Sequence, residues 1–361
     1  MSRHRIMLKS IQEIVAARGR ITPAQALWLL READLMDLAE LATRRRRQWV
    51  GDRAFYQYNF NVNHTNICGN KCKLCAFYRQ DGEGYTLTPE AVGEAVANVY
   101  ARGVDEVHLV GGLNDKMPYA YYLNLVKAIK AVSPTIHIQG FTAVEIDFFA
   151  KLKGCPSVDV LTEFKAAGLD SLPGGGSEIF SERVRKLICE AKASAEVWLR
   201  IHEEAHKLGM TSNATLLYGH VETDAEIIEH LERLRTVQDR TRGFRAFVPL
   251  KFFPQNTQLG IESRGSTGVY DSRLLATARI FLDNFPHLKS LWMIYGYKGA
   301  QVGLAFGADD IGGTYFDEYI VHAAGANTPK SLTEAEICGL IQRAGRTPVK
   351  VNSCYQGVVY G

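Results

Sequence analysis

No apolar stretch in this chain of 361 residues reaches the length that crosses a bilayer, and its start, MSRHRIMLKSIQEIVAARGR, lacks the apolar core of a secretory signal. A soluble, cytoplasmic protein without membrane insertion is expected. Net charge is also lacking: 42 Lys and Arg against 39 Asp and Glu leave +3, too little and too evenly mixed to point to nucleic acid. The longest basic run, Arg44 to Arg47, reads as a solvated helix end. Repeats, low-complexity tracts and long linkers are absent. Cysteine is scarce: of seven residues, three crowd together and Cys155, Cys189, Cys338 and Cys354 stand singly. That odd count excludes a secreted disulfide framework and fits a reducing compartment, with the single cysteines as small buried hydrophobes.

What is present is enough for a core, with 46% hydrophobic and 22% charged residues. The first fifty residues read as helices: Leu8, Ile11, Ile14 and Val15 share a face, Gly19 stops that helix, and Thr22 opens another as the cap of a TPAQ capping box. From about Phe55 short β-branched or aromatic runs alternate with helical stretches such as PEAVGEAVANVYARG and EVWLRIHEEAHKLG, which predicts parallel strands with helical crossovers. The strand candidates are FYQYNFNV, DEVHLVGG, TIHIQGF, GLDSLPGG, TSNATLLYG, FRAFVPL, SLWMIYG and LAFGADDI. Eight such units predict an α/β fold of the (β/α)8 TIM-barrel type over residues 51–328. A helical segment over 1–50 precedes it, and a helical extension over 329–361, starting at a cap on Ser331, packs on it. A doubly wound sheet would carry a glycine-rich turn after its first strand, where this chain has a cysteine loop.

In that loop, NHTNICGNKCKLCAFYR, Cys68, Cys72 and Cys75 have the spacing C-x3-C-x2-C. An iron-sulfur cube normally takes four thiolates, so three leave one iron open to a small molecule. A zinc site would want a fourth ligand; His64 offers one, but no second C-x2-C pair accompanies it. An electron-transfer iron-sulfur protein, with a fourth ligand from Cys155, Cys189, Cys338 or Cys354, is a non-enzyme alternative.

C-x3-C-x2-C after the first strand of a barrel resembles the radical S-adenosylmethionine (SAM) superfamily. The resemblance implies a 4Fe-4S cluster on the three cysteines, with SAM chelating the open iron and split by one electron to a 5′-deoxyadenosyl radical. Two details depart from the usual pattern: Leu74 is commonly aromatic, and Gly111-Gly112 is followed by Leu113-Asn114 rather than an acidic residue. SAM contacts implied are Phe77 in the AFYR stretch, Gly111, Gly112, Glu145, Glu178 and Arg185. Arg185 has an alternative partner in Glu182 on its own helix.

From about Asn61 to Arg346, HLVGGLN, SLPGGGSEIF and YGHVET resemble the aminofutalosine synthase family of menaquinone biosynthesis. The cyclic dehypoxanthine futalosine synthases, which share the cysteine loop, are the second resemblance. The first implies that the adenosyl radical adds to 3-[(1-carboxyvinyl)oxy]benzoate to give 6-amino-6-deoxyfutalosine, methionine and carbon dioxide or bicarbonate. It also implies an electron donor such as flavodoxin or ferredoxin. Two substrate carboxylates need donors or cations, and the polar candidates at strand ends are Arg79, Asn213, His220, Lys251, Asp309 and Asp310. His220 fits a turn equally well. His108 and His137, inside strands, read as satisfied core histidines. His64 stands where that family more often has Tyr.

Overall fold

Helices capped by Ser, Thr or Asp alternate with short strands, and this pattern builds the molecule. A computed structural model of the chain describes residues 3–260, 263, 265–314 and 319–360. The lead-in helices are α1 (Arg3–Ala16), α2 (Pro23–Arg31) and α3 (Leu35–Val50). Thr22 and Gln25 form the expected capping box. Arg45 and Arg46 are buried, contrary to a solvated helix end: Arg45 donates to Gly19 O at 2.5 Å and Arg46 to Gly51 O, while Arg44 and Arg47 stay outside.

Strand β1 (Arg53–Gln57) leads into β2 (Asn59–Asn63), followed by β3 (Glu106–Val110), β4 (His137–Gly140), β5 (Ser171–Leu172), β6 (Thr211–Tyr218), β7 (Phe244–Lys251) and β8 (His287–Leu288). Strands β2 to β8 pair in sequence order as one parallel sheet. Next comes β9 (Asp310–Gly313), joined to the β8 end by a parallel bridge between Lys289 and Asp310 and paired with β1. Thr314 Oγ1 then accepts from Asn59 N at 3.0 Å and donates to Asn59 O at 2.9 Å. A (β/α)8 TIM-type barrel results.

The returns are α4 (Pro89–Tyr100), α5 (Tyr119–Val132), α6 (Ala143–Lys153), α7 (Ser157–Ala167), α8 (Glu182–Ile188), α9 (Ala195–Lys207), α10 (Asp224–Thr241), α11 (Gly268–Phe281) and α12 (Trp292–Ala305). Helix α2 lies against α10 and α11, and α3 against α11. After α13 (Ile320–Ala323) and α14 (Glu334–Arg343), β10 (Thr347–Lys350) pairs with β1 on the side away from β9. Helix α14 is capped by Thr333 in a box with Glu336, not by Ser331.

Two strand expectations change. FYQYNFNV breaks at Tyr58 into β1 and β2, which pair in different sheets. SLWMIYG is mostly the start of α12, and the strand lies just upstream at His287–Leu288. A short apolar run does not by itself distinguish a strand from a buried helix turn; here Trp292 turns inward, its indole donating to Gly313 O at 2.8 Å.

Candidate active site

The loop after β2 is tied to its surroundings by backbone bonds: Cys68 N to Arg79 O at 3.2 Å, Gly69 N to Leu113 O at 3.0 Å and Leu259 N to Lys73 O at 3.1 Å. Held so, Cys68, Cys72 and Cys75 all line a cavity of about 420 Å³ inside the barrel. Their end of it lies at the C-terminal ends of the strands, where barrels of this type carry their sites. At the other end are Gln57, Glu106, Lys289 and Ser353.

Burial pushes the Cys72 thiol up to about 12 and raises Cys75 as well. Such thiols stay protonated near neutral pH unless a metal takes the sulfur. Among the described residues no group of three or more His, Cys, Asp or Glu side chains is gathered as a single ion would need. A cube takes one thiolate on each iron, and three cysteines lining one cavity fit a cube that keeps its fourth iron open. Cys189 lies close enough to act electrostatically on Cys72 without lining the cavity.

Gly111 and Gly112, just past β3, line the cavity next to the loop. A Cβ on Gly112 would stand 2.2 Å from Ile67 O, and one on Gly111 would stand 2.6 Å from His64 Nε2. Close packing of the strand end on the cysteine loop therefore demands both glycines. Gly111 N donates to Glu145 Oε1 at 3.0 Å, while Glu145 Oε2 accepts from Thr142 N at 2.7 Å in the capping box of α6. Glu145 is thus a strut between α6 and the β3 end, and it also faces the cavity. His64, fully buried, sits 3.4 Å from the same Oε1.

Glu178 faces the cavity from the loop after β5, held in the left-handed region at φ 46°. Its buried carboxylate pairs with Lys192. Burial opposes ionisation, yet Lys192 and Arg185 hold the carboxyl below its usual range. Phe77, Asn213 and Lys251 also line the cavity. Asn213 Oδ1 is buried with no partner, and Lys251 Nζ lies 3.1 Å from Asp271 Oδ2.

Five expected site residues lie outside that lining. Arg185 donates to Ser177 O at 2.5 Å and to Ala193 O, so it pins the chain around α8, while Glu182 pairs with Lys186 instead. Arg79 folds back on its own loop, 2.8 Å from Tyr78 O. His220 lies within a turn, Nε2 at 3.0 Å from Leu217 O and Nδ1 accepting from Val221 N at 2.8 Å. Asp309 is fully buried between Arg279 at 2.8 Å and His287 Nδ1 at 2.8 Å. Asp310 accepts from Gln57 Nε2 at 2.7 Å and Tyr355 OH at 2.6 Å. These two acids stand at the start of β9, not at its C-terminal end.

Sequence reasoning missed Lys192, Lys289, Glu106, Gln139 and the ladder Asn59, Asn61 and Asn63, all cavity-lining. The ladder had a signal: every second residue of NFNVN is polar, and period two puts those side chains on one face. His137 is a satisfied core residue, 2.8 Å from Ser171 Oγ. His108 instead faces the cavity, with Nδ1 at 3.2 Å from Gln139 Oε1.

Comparison with known proteins matches the radical SAM superfamily over residues 62–234 and the CofH/MqnC C-terminal region over residues 241–359. The chain is 43% identical to an aminodeoxyfutalosine synthase of Thermus thermophilus, covering 96% of this chain and 95% of that one. It is 39% identical to a 5-amino-6-(D-ribitylamino)uracil–L-tyrosine 4-hydroxyphenyl transferase of Methanopyrus kandleri, covering 97% of each. To a cyclic dehypoxanthine futalosine synthase of Streptomyces coelicolor the identity is 38%, over 98% of this chain and 89% of that one. Methylornithine synthase (PylB) shares the fold with a TM-score of 0.75 at 16% identity, over 95% of this chain and 98% of that one. No helix among the described residues is long and apolar enough to cross a membrane.

Proposed function

We propose a reaction for this chain from its kinship: it belongs to the radical SAM superfamily, in the family that includes the aminodeoxyfutalosine synthases. Members of the superfamily use a 4Fe-4S cluster and SAM, and this chain is a radical SAM transferase acting on a small molecule. Our reading is that it joins the 5′-deoxyadenosyl group of SAM to the enol ether carbon of 3-[(1-carboxyvinyl)oxy]benzoate, yielding 6-amino-6-deoxyfutalosine, methionine and carbon dioxide or bicarbonate. The observation that carries it is the 43% identity to the Thermus protein along nearly the whole of both chains. The methanogen relatives, named for coupling tyrosine to a ribitylaminouracil, supply the second reading.

In the first reading Cys68, Cys72 and Cys75 would hold the cluster, which in its reduced state would supply the electron that cleaves SAM. Gly111, Gly112, Glu178 and Phe77 flank the SAM side of the cavity. The barrel excludes water from the radical, and an outside donor such as flavodoxin or ferredoxin supplies the electron. Asn213 and Lys251, which also line the cavity, would face the second substrate.

Anaerobically reconstituted protein given SAM, dithionite and the enol ether is expected to form 6-amino-6-deoxyfutalosine and methionine, read by mass spectrometry. Absence of that product, with coupling of tyrosine to 5-amino-6-(D-ribitylamino)uracil in a parallel incubation, would transfer the assignment to the second reading. Cyclisation of dehypoxanthine futalosine instead would place the chain with the cyclic synthases.

A further inference from the structure

Three lysines line the cavity, and they are not equivalent. Lys192 belongs to the cysteine end, paired with Glu178. Lys251 and Lys289 stand on the β7–β8 side, and their ion-pair partners, Asp271 and Asp310, lie behind the wall rather than in the lining, while Glu106, which lines the same end as Lys289, accepts from Ser353 N and Oγ. Lys289 is 4% exposed. Its Nζ donates to Gln57 Oε1 at 2.9 Å, while Asp310 Oδ2 is 3.4 Å away. Asp310 is already engaged by Gln57 Nε2, Tyr355 OH and, at 2.6 Å, Gly312 N. An ammonium has three donors, so a buried cation with a distant, shared counter-ion keeps a donor for the cavity. The walls elsewhere hold amide atoms without partners: Asn61 Oδ1, Asn63 Oδ1, Asn213 Oδ1 and Gln139 Nε2.

Depth separates the two lysines. Lys289 N donates to Phe247 O, so Lys289 sits level with the middle of β7, whereas Lys251 ends that strand. At about 3.3 Å per residue their backbones differ by roughly 10 Å along the strand. The cysteines lie at the Lys251 end of the cavity. A substrate attacked from the cysteine end must present its reacting carbon there and its remote end to Lys289.

We propose that Lys289 is the specificity-determining anchor for a carboxylate on the remote, aryl end of the substrate. Asp310, Gln57 and Tyr355 position it. The inference rests on the proposed reaction and adds the orientation: enol ether towards the cysteines, ring carboxylate towards Lys289. A substrate whose remote end is uncharged gains nothing from that ammonium.

The test compares 3-[(1-carboxyvinyl)oxy]benzoate with its analogue bearing a ring carboxamide in place of the ring carboxylate. Wild-type holoenzyme is expected to favour the acid in KM by about tenfold or more, with kcat nearly equal. Lys289→Gln combined with Asp310→Asn removes both charges of the pair together, so no lone buried charge remains. This double variant is expected to lose the preference by raising KM for the acid only, while SAM still perturbs the EPR spectrum of its reduced cluster as in wild type. If the double variant does not fold, Lys289→Arg carries the test: the preference persists with KM for the acid raised severalfold, and an unchanged KM counts against the anchor. A retained acid preference in a folded, SAM-binding double variant, or a wild type indifferent to the ring charge, overturns the inference and leaves the proposed reaction standing. A wild type that turns over neither compound overturns the reaction, and the anchor with it.

Discussion

Asp309 shows how a single residue misleads when only its neighbours in sequence are visible. Two adjacent acids near a strand suggest a site, but their partners come from distant parts of the chain. Arg279 holds Asp309, with burial opposing its ionisation, below the usual carboxylate range, and His287 completes the pairing. Asp309→Asn leaves a buried guanidinium with its charge uncompensated, a loss of roughly 3–5 kcal/mol. The urea midpoint of the anaerobic protein should fall accordingly; an unchanged midpoint would mean that Arg279 finds other compensation. Cys72 is the opposite case: the local spacing alone proposed it as a cluster ligand, and it lines the cavity together with Cys68 and Cys75. Cys72→Ala is expected to keep the melting temperature within a few degrees while iron analysis after anaerobic reconstitution falls well below the wild-type content. Retention of a full complement of iron would remove Cys72 from the ligand set.

At the scale of elements, helices were legible and short strands were not. Capping boxes at Thr22, Thr142, Thr223 and Thr333 are local chemistry, written within four residues. Strands β5 and β8 span two residues each and exist because neighbours pair with them. Thr142→Ala should cost about 1 kcal/mol of stability as a lost cap. It also loosens Glu145, so the affinity for SAM, read by equilibrium binding to the holoprotein, should weaken severalfold. A stability loss with unchanged SAM affinity would reduce Glu145 to a purely structural strut. Helices α9 and α10 carry a pH response. Burial lowers His206 to about 4 and His230 to about 3 from the ordinary 6.5. The unfolded chain therefore takes up protons below pH 6.5 that the folded chain refuses, and stability falls as pH drops from there towards 4. Denaturation midpoints that stay flat from pH 7 to 5 would contradict that burial.

For the molecule as a whole, the C-terminal tail closes the far end of the barrel. Ser353 N and Oγ each donate to Glu106 at 2.6 Å. The Tyr355 ring stacks on His287, with centroids 3.5 Å apart, and its hydroxyl reaches Asp310. Deleting the residues after Lys350 would strip Glu106 and Asp310 of these partners and open the cavity floor to water. The melting temperature should drop by roughly 5 °C or more. SAM cleavage uncoupled from product should rise relative to wild type, read as 5′-deoxyadenosine per product. An unchanged ratio would show that the floor does not shield the radical.

The amino-acid sequence alone determined what is local or periodic in this protein: the cysteine spacing, the helix caps, and the alternation of strand and helix that leads to a parallel barrel. Tertiary structure decided which polar residues face the cavity. Lys289, Lys192 and Glu106 entered the lining, while Arg185, His220 and Asp309, equally polar, went into the walls. The reason is physical. Caps and spacings involve groups a few residues apart, whereas the fate of a buried charge depends on partners such as Gln57 with Lys289 or Glu106 with Ser353, which only the closed barrel brings together.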